Sequence, residues 1–192
     1  MHWIEENIKA NYIMGVDEVG RGPLFGHVVS AACIMPKNEY IMGIKDSKKM
    51  TEKQRNLMQR LIWSKALAIG FGAASPKEID QYNILEATKL AMVRAINEAV
   101  KFQAPDIILI DAVQLELPYR VESIVGGDNK SYAIASASIL AKVARDSLCY
   151  GWDKIYPGYG IAQHKGYGTK MHMEALHKLG ATKAHRKTFI KL

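Results

Sequence analysis

Two cysteines in 192 residues, Cys33 and Cys149, are too few for a disulfide framework or a cysteine-built zinc centre. One lies in an apolar run and the other in a helical pattern, so both read as reduced, packed thiols. No stretch approaches the roughly 20 unbroken apolar residues of a membrane helix. Residues 1–10 lack the charged-then-apolar layout of a secretory leader. Internal repeats, low-complexity tracts and Pro/Gly/Ser linkers are also missing. These absences point to one cytoplasmic domain over residues 1–192, with no membrane association. Hydrophobic residues at 48% and charged ones at 23% suit a globular chain with one sizeable core.

Charge is present but unevenly placed. The formal net charge is +7, and from Lys130 onward eleven Lys or Arg stand against three acids, Asp146, Asp153 and Glu174. The first 129 residues are therefore close to neutral. A basic final third suits a polyanionic partner, nucleic acid ahead of an anionic membrane surface, and it equally suits a solvated face.

The pattern predicts an α/β domain with a mixed sheet, an early run of three strands followed by strands separated by helices. Residues 12–18, 28–35 and 66–74 read as strands, the second apolar enough to be covered on both faces. Thr51 with Gln54 has capping-box spacing and opens a helix to about Ser64. Ser75-Pro76-Lys77-Glu78 opens another, running to about Phe102 with a break near Asn83. Residues 106–111 form a buried strand ending in an acid, and residues 121–125 a fifth strand. Residues 131–150 form a helix whose Ala133, Ala135, Ser136, Ala137, Ser138, Ala141 and Ala144 let it lie close to the sheet. A last helix starts near Thr169 and ends at Gly180.

Acids interrupt this apolar frame. Adjacent residues on a strand face opposite sides, so either Asp17 or Glu18 faces a covered side, where a carboxylate is costly unless paired or metal-bound. Asp111 ends an otherwise apolar strand, and Asp128 follows Gly126-Gly127. Four acids at segment ends suit hard divalent cations, and two such ions can clamp a phosphodiester, one activating water and one stabilising the leaving oxygen. Each acid also has a plainer reading, as a strand-end turn residue or, for Asp128, a helix cap. Gly20-Arg21-Gly22 lets main-chain N–H groups approach a phosphate or sugar, or makes a tight hairpin. Asp46-Ser47-Lys48-Lys49 offers a hydroxyl and two ammonium groups to phosphates, or to solvent. Tyr167, between Gly166 and Gly168, is a stacking ring or a core residue.

Taken together these segments resemble the ribonuclease HII family. The blocks that carry the resemblance are residues 15–24, opening Gly-Val-Asp-Glu-Val-Gly-Arg-Gly-Pro-Leu, then Asp46–Lys49, residues 83–88, Asp111, Gly127-Asp128, residues 135–146, residues 164–169 and His185-Arg186. They run in order over roughly residues 12–190. The resemblance implies a ribonuclease-H-like five-stranded mixed sheet flanked by helices. It implies a core over about residues 12–150 and a helical, substrate-gripping extension over about 151–192. It further implies that Asp17, Glu18, Asp111 and Asp128 are both the catalytic acids and the ligands of two Mn²⁺ or Mg²⁺ ions. Gly20, Arg21, Gly22, Ser47, Lys48 and Tyr167 would contact substrate. The expected reaction cuts the RNA strand of RNA–DNA hybrids, and ribonucleotides embedded in duplex DNA, leaving 3′-hydroxyl and 5′-phosphate ends, carried out by a monomer.

Two alternatives compete, one enzymatic and one not. Type 3 relatives usually carry Asp-Glu-Ser-Gly and a longer N-terminal extension, whereas Asp17-Glu18-Val19-Gly20 begins soon after the start. A non-catalytic nucleic-acid-binding module explains the basic third but not the acids in strands. The sequence departs from the family pattern at His27, where Pro is usual, and at Ala112, where bacterial members usually have Gly.

Overall fold

The structure is a computed structural model and describes residues 3–37 and 39–190. Five strands form one sheet: β1 (Ile13–Val19), β2 (Val28–Ile34), β3 (Ala68–Ala74), β4 (Ile107–Asp111) and β5 (Val121–Ile124), in the order β3-β2-β1-β4-β5. β1 runs antiparallel to β2 and parallel to β4; β2 and β3 are antiparallel, and β4 and β5 parallel. The mixed sheet expected from the sequence is therefore present. Helix α1 (Glu52–Lys65) separates β2 from β3, as the capping box at Thr51 predicts, so the first three strands are not an unbroken run, and β4 reaches β5 with no helix between them. The link over residues 112–120 instead lays Leu115, Leu117 and Tyr119 over the apolar cluster on one face of the sheet.

Local signals set the helix starts. Thr51 and Ser75 each complete a capping box, with Gln54 and Glu78 respectively. Helix α2 (Pro76–Ala99) breaks at Asn83, whose φ is 71°, and the Asn83 side chain recaps it by accepting from the N–H of Leu85 and Glu86. Helix α3 (Tyr132–Ile155) starts at its Ser131 cap and runs past residue 150. The short α4 (Ile161–His164) and α5 (Lys170–Leu179) follow.

Strand alternation divides the layers. Met14 and Val16 of β1 pack with Met92, Ala95 and Ile96 of α2, whereas Ile13 packs with Ala133 and Ile134 of α3. Gly15 is where α3 comes closest: a Cβ there would lie 2.0 Å from the Ala133 carbonyl carbon. The small-residue face of α3 does lie against the sheet, and only glycine fits beneath it. A separate cluster of Phe25, Cys149, Tyr159, Ile161, Ala175 and Leu176 joins the loop after β1 to the end of α3, α4 and α5. Both cysteines are free and buried, and burial raises both thiols. Among the described residues no helix is long and apolar enough to cross a membrane.

Candidate active site

Asp17 shares the α3-facing side of β1 with Ile13 and Gly15. In the β1–β4 ladder Val16 pairs with Ile110, so continuing the register by one residue sets Asp17 beside Asp111. Neighbouring strands lie about 4.8 Å apart. Two carboxyls thus emerge side by side where adjacent parallel strands end. Asp128 joins them through a 3-10 turn, Gly127–Asn129, immediately before α3. The Gly127 N–H donates to Asp111 Oδ1 at 2.8 Å, tying that turn to the strand end. Glu18 points to the other side of β1, beside Arg21, whose guanidinium is 3.6 Å away.

Burial and mutual repulsion outweigh the nearby cations in this corner. Burial, then the charges of Glu18 and Asp111, push the Asp17 carboxyl well above its ordinary range, against a hydrogen bond from Ser138. Burial also raises Glu18, opposed by Arg21 and assisted by Asp111. Burial, then Asp46 and Asp111, raise Asp128 despite Lys48 at 3.7 Å. Glu18 Oε2 is buried without a hydrogen-bond partner. A set of hard oxygen donors that raise one another, one of them orphaned, fits divalent cations. Among the described residues, no three Asp, Glu, His or Cys side chains form a closed metal-ligand cluster. Asp46 is an acid that the sequence reading left out of the site. It is buried and caps the 3-10 turn Ser47–Lys49, accepting from the Lys48 N–H at 2.9 Å.

That turn separates two residues expected to act alike. Lys48 is exposed, and burial acts against its charge; Asp128, Asp17, Asp46 and Asp111 outweigh this and raise its ammonium. Ser47 is buried, and its hydroxyl lies 2.9 Å from that of Ser138. Ser138 in turn interacts with the Asp17 carboxyl, so the two hydroxyls line up behind that acid. The Ser47 hydroxyl thus lies inside, against Ser138, whereas the Lys48 side chain faces solvent. Arg55 of α1 holds this turn from the same side, donating to the Ser47 carbonyl at 3.1 Å.

The loop over residues 20–27 is held from behind by two fully buried arginines. Arg186 donates to the carbonyls of Gly20 (2.6 Å), Arg21 (2.8 Å) and Gly26 (2.9 Å). Arg145 donates to those of Phe25, His27 and Lys165. In a trans peptide the carbonyl and the next N–H point in opposite directions. With the Gly20 and Arg21 carbonyls turned in, the N–H groups of Arg21 and Gly22 turn out. Gly20 has φ 94°, and a Cβ on it would lie 2.2 Å from Arg145 Nε, so glycine is required there. Tyr167 is 46% exposed, which rules out the core reading. A Cβ built at Gly22 would sit 3.5 Å from Tyr167 Cε1, so the ring stands against this loop.

Both departures from the family pattern have structural consequences. The His27 ring stacks on Trp152 at 5.4 Å and 11°. Ala112 takes φ 51°, the left-handed conformation glycine favours, directly after Asp111.

The sequence model of the family described as Ribonuclease HII matches residues 14–192. The ribonuclease HII of Alkaliphilus metalliredigens is 48% identical over 183 residues, spanning 93% of this chain and 90% of its own. The chain belongs to the ribonuclease HII family. It is accordingly an endoribonuclease of the ribonuclease H class. The ribonuclease H2 of Pyrococcus horikoshii superposes with TM-score 0.77 at 25% identity, over 92% of this chain and 93% of that one. Bst-RNase HIII, solved in complex with Mn²⁺, superposes with TM-score 0.74 at 16% identity, over 93% and 67%, a likeness of fold alone. The family match at nearly half identity sets aside both the type 3 reading and the non-catalytic module. Arg145 and Arg186 lay within matched blocks of the sequence, but their task did not. One signal was available for Arg145: it sits four residues from both Ala141 and Cys149, on the buried stripe of α3.

Proposed function

We propose that this ribonuclease HII cuts both continuous RNA–DNA hybrids and single ribonucleotides embedded in duplex DNA, leaving 3′-hydroxyl and 5′-phosphate ends. Asp17, Glu18, Asp111 and Asp128 would hold two Mn²⁺ or Mg²⁺ ions. The observation that carries this is the juxtaposition of Asp17 and Asp111 at parallel strand ends, with Asp128 tied to Asp111 and the outward N–H groups nearby. When bound, the cations supply an activated water and neutralise charge on the phosphate; the Mn²⁺ complex of Bst-RNase HIII is consistent with that choice.

The chain's own groups do the positioning. Ser47 and Ser138 orient Asp17. The Arg21 and Gly22 N–H groups offer donors to the 2′-hydroxyl or the adjoining phosphate, the one local mark of a ribonucleotide in DNA. The Arg21 and Lys48 side chains sit at the rim, where each can meet a neighbouring phosphate. Tyr167 stacks on the sugar at the RNA–DNA junction. In this reading the chain acts as a monomer in the cytoplasm, and the helices beyond about residue 150 grip the duplex as part of a single domain.

The test uses two labelled duplexes, a continuous hybrid and a DNA duplex with one ribonucleotide. Each is incubated with Mg²⁺ or Mn²⁺, with and without chelator, and the cut sites and end groups are mapped. Both should be cut only with metal, giving 3′-hydroxyl ends. Cleavage of the hybrid alone would remove the embedded-ribonucleotide activity, and 2′,3′-cyclic phosphate ends would overturn attack by water.

A further inference from the structure

Behind Tyr167 lie three histidines that the proposed mechanism leaves unused. His172 and His185 are fully buried, and His164 stacks on His172 with ring centroids 4.5 Å apart. Their hydrogen bonds fix where the protons are. The Thr182 main-chain N–H, 2.9 Å from His185 Nδ1, can only donate, so that nitrogen accepts and is unprotonated. At the other end, His172 Nδ1 is 2.9 Å from the Tyr167 carbonyl, which can only accept, so this nitrogen carries the proton. The two Nε2 atoms face each other at 3.2 Å. Working inward from either end gives the same answer: His185 donates from Nε2 and His172 accepts. One proton arrangement satisfies every bond, with both rings neutral.

We propose that His185 and His172 form a one-way hydrogen-bond relay that fixes the main chain at Tyr167, making them positioning residues for recognition of the ribonucleotide sugar. The inference rests on Tyr167 being the ring that meets that sugar. The relay ends on a peptide already held elsewhere: the Tyr167 N–H donates to the His164 carbonyl at 3.0 Å, and its carbonyl accepts from the Thr169 N–H at 2.8 Å. His164 is fixed as well, accepting at Nδ1 from the Gly166 N–H and donating from Nε2 to the Tyr159 carbonyl.

The surroundings keep the relay uncharged. The titratable groups facing the pair are His164, Tyr159 and the two rings themselves, beside Phe25. Burial, then His172, lower His185 to about 4; burial, assisted by His164 and opposed by the Tyr167 carbonyl, holds His172 low. A proton added to His172 would set two N–H groups against each other at the central contact.

Nitrogen-15 NMR of the histidine side chains in the full chain at neutral pH tests the relay directly. His172 should be in the Nδ1–H form, the minority tautomer of free imidazole, with His185 and His164 in the Nε2–H form. An Nε2–H or charged His172 would overturn the relay. The functional half is read from His172→Phe, which keeps a ring and removes both nitrogens. The ratio of activity on the single-ribonucleotide duplex to that on the continuous hybrid should fall about two- to ten-fold, the worth of one hydrogen bond. His172→Asn, with an amide able to donate to the Tyr167 carbonyl, should recover most of it. Adding His172→Phe to Tyr167→Ala should lower the ratio no further than Tyr167→Ala alone. Equal loss on both substrates by a folded His172→Phe would overturn the positioning role. If Tyr167→Ala itself leaves the ratio unchanged, the stacking role of Tyr167 falls, while the NMR result still decides the relay.

Discussion

Towards the carboxyl ends of the central strands β1 and β4, Asp17 and Asp111 are placed by strand register, whereas the 20–27 loop facing them is placed by side chains from far along the chain. The first arrangement is continuous backbone: a parallel ladder and one glycine beneath α3 bring the carboxyls together, with only the exposed Lys48 ammonium to offset them. The second is a set of fully satisfied buried groups. Arg186 alone serves three carbonyls, and the nearest of these is 160 residues away in sequence. The acids are thus chemically strained in a rigid frame, and the loop is chemically satisfied but dependent on single residues. Stability and activity should separate along that line.

The largest effect belongs to the acids. Asp17→Asn should take cleavage to background while substrate binding remains measurable. The same change removes a buried charge that burial, Glu18 and Asp111 all disfavour, so thermal stability should not fall. A variant that cleaves at near-normal rates would remove Asp17 from the mechanism. One that unfolds would show the carboxyl to be structural.

Arg186→Ala should do the reverse. It leaves the carbonyls of Gly20, Arg21 and Gly26 buried without donors, at about 1–3 kcal/mol each, so unfolding stability should drop by about 3 kcal/mol or more. Denaturant titration measures it. A drop below 1 kcal/mol would mean that water or another donor replaces the guanidinium, and the loop is not governed from behind.

A subtler separation comes from pH. His185 titrates near 6.5 when unfolded and near 4 when folded. Above about 6.5 both states are neutral and the contribution to stability is complete. As pH falls, the unfolded state takes up a proton that the native state refuses, so stability is lost until about pH 4. The shift corresponds to at most about 3 kcal/mol. Asp17, Glu18 and Asp128, raised in the fold, act with the opposite sign: their contribution is present at low pH and is lost as pH rises through their raised values. Comparing the urea midpoints of the native chain and His185→Phe from pH 7 to 4.5 isolates the histidine. The gap between them should close as pH falls; a constant gap would refute it.

These contrasts also mark what the sequence could disclose. The capping boxes at Thr51 and Ser75, and the break at Asn83, are decided within four residues, and each was legible. Asp17 and Asp111 stood out because a carboxylate in an apolar strand contradicts its surroundings, although only the β1–β4 register shows that they meet. Ser47, Arg145, Arg186, His172 and His185 have partners between 13 and 166 residues away. Without knowledge of the tertiary contacts, nothing showed that Ser47 is buried against Ser138, and Arg186 was indistinguishable from basic surface. The stacking of His27 on Trp152 was hidden for the same reason, since Trp152 lies on another element.

Ala112 offers the finest test of the comparison, because it places a local cost on the acid side. Its φ of 51° lies where a Cβ crowds the following carbonyl, at about 1–2 kcal/mol for an L-residue. The position is held there by the Ala112 N–H, which donates to the Ile124 carbonyl at 3.1 Å, and by Asp111, which accepts from Gly127 on the same side. Ala112→Gly relieves the crowding but adds freedom to the unfolded chain, worth about 0.4–1 kcal/mol in the opposite sense. The net expectation is a gain of about 0.5–1 kcal/mol, seen as a small rise in melting temperature, with cleavage retained because no carboxyl moves. A loss of stability would mean that the alanine methyl makes packing contacts that outweigh the strain. A gain accompanied by weaker cleavage would mean that the strained backbone itself aims Asp111, and that the acid side depends on local conformation as much as on register.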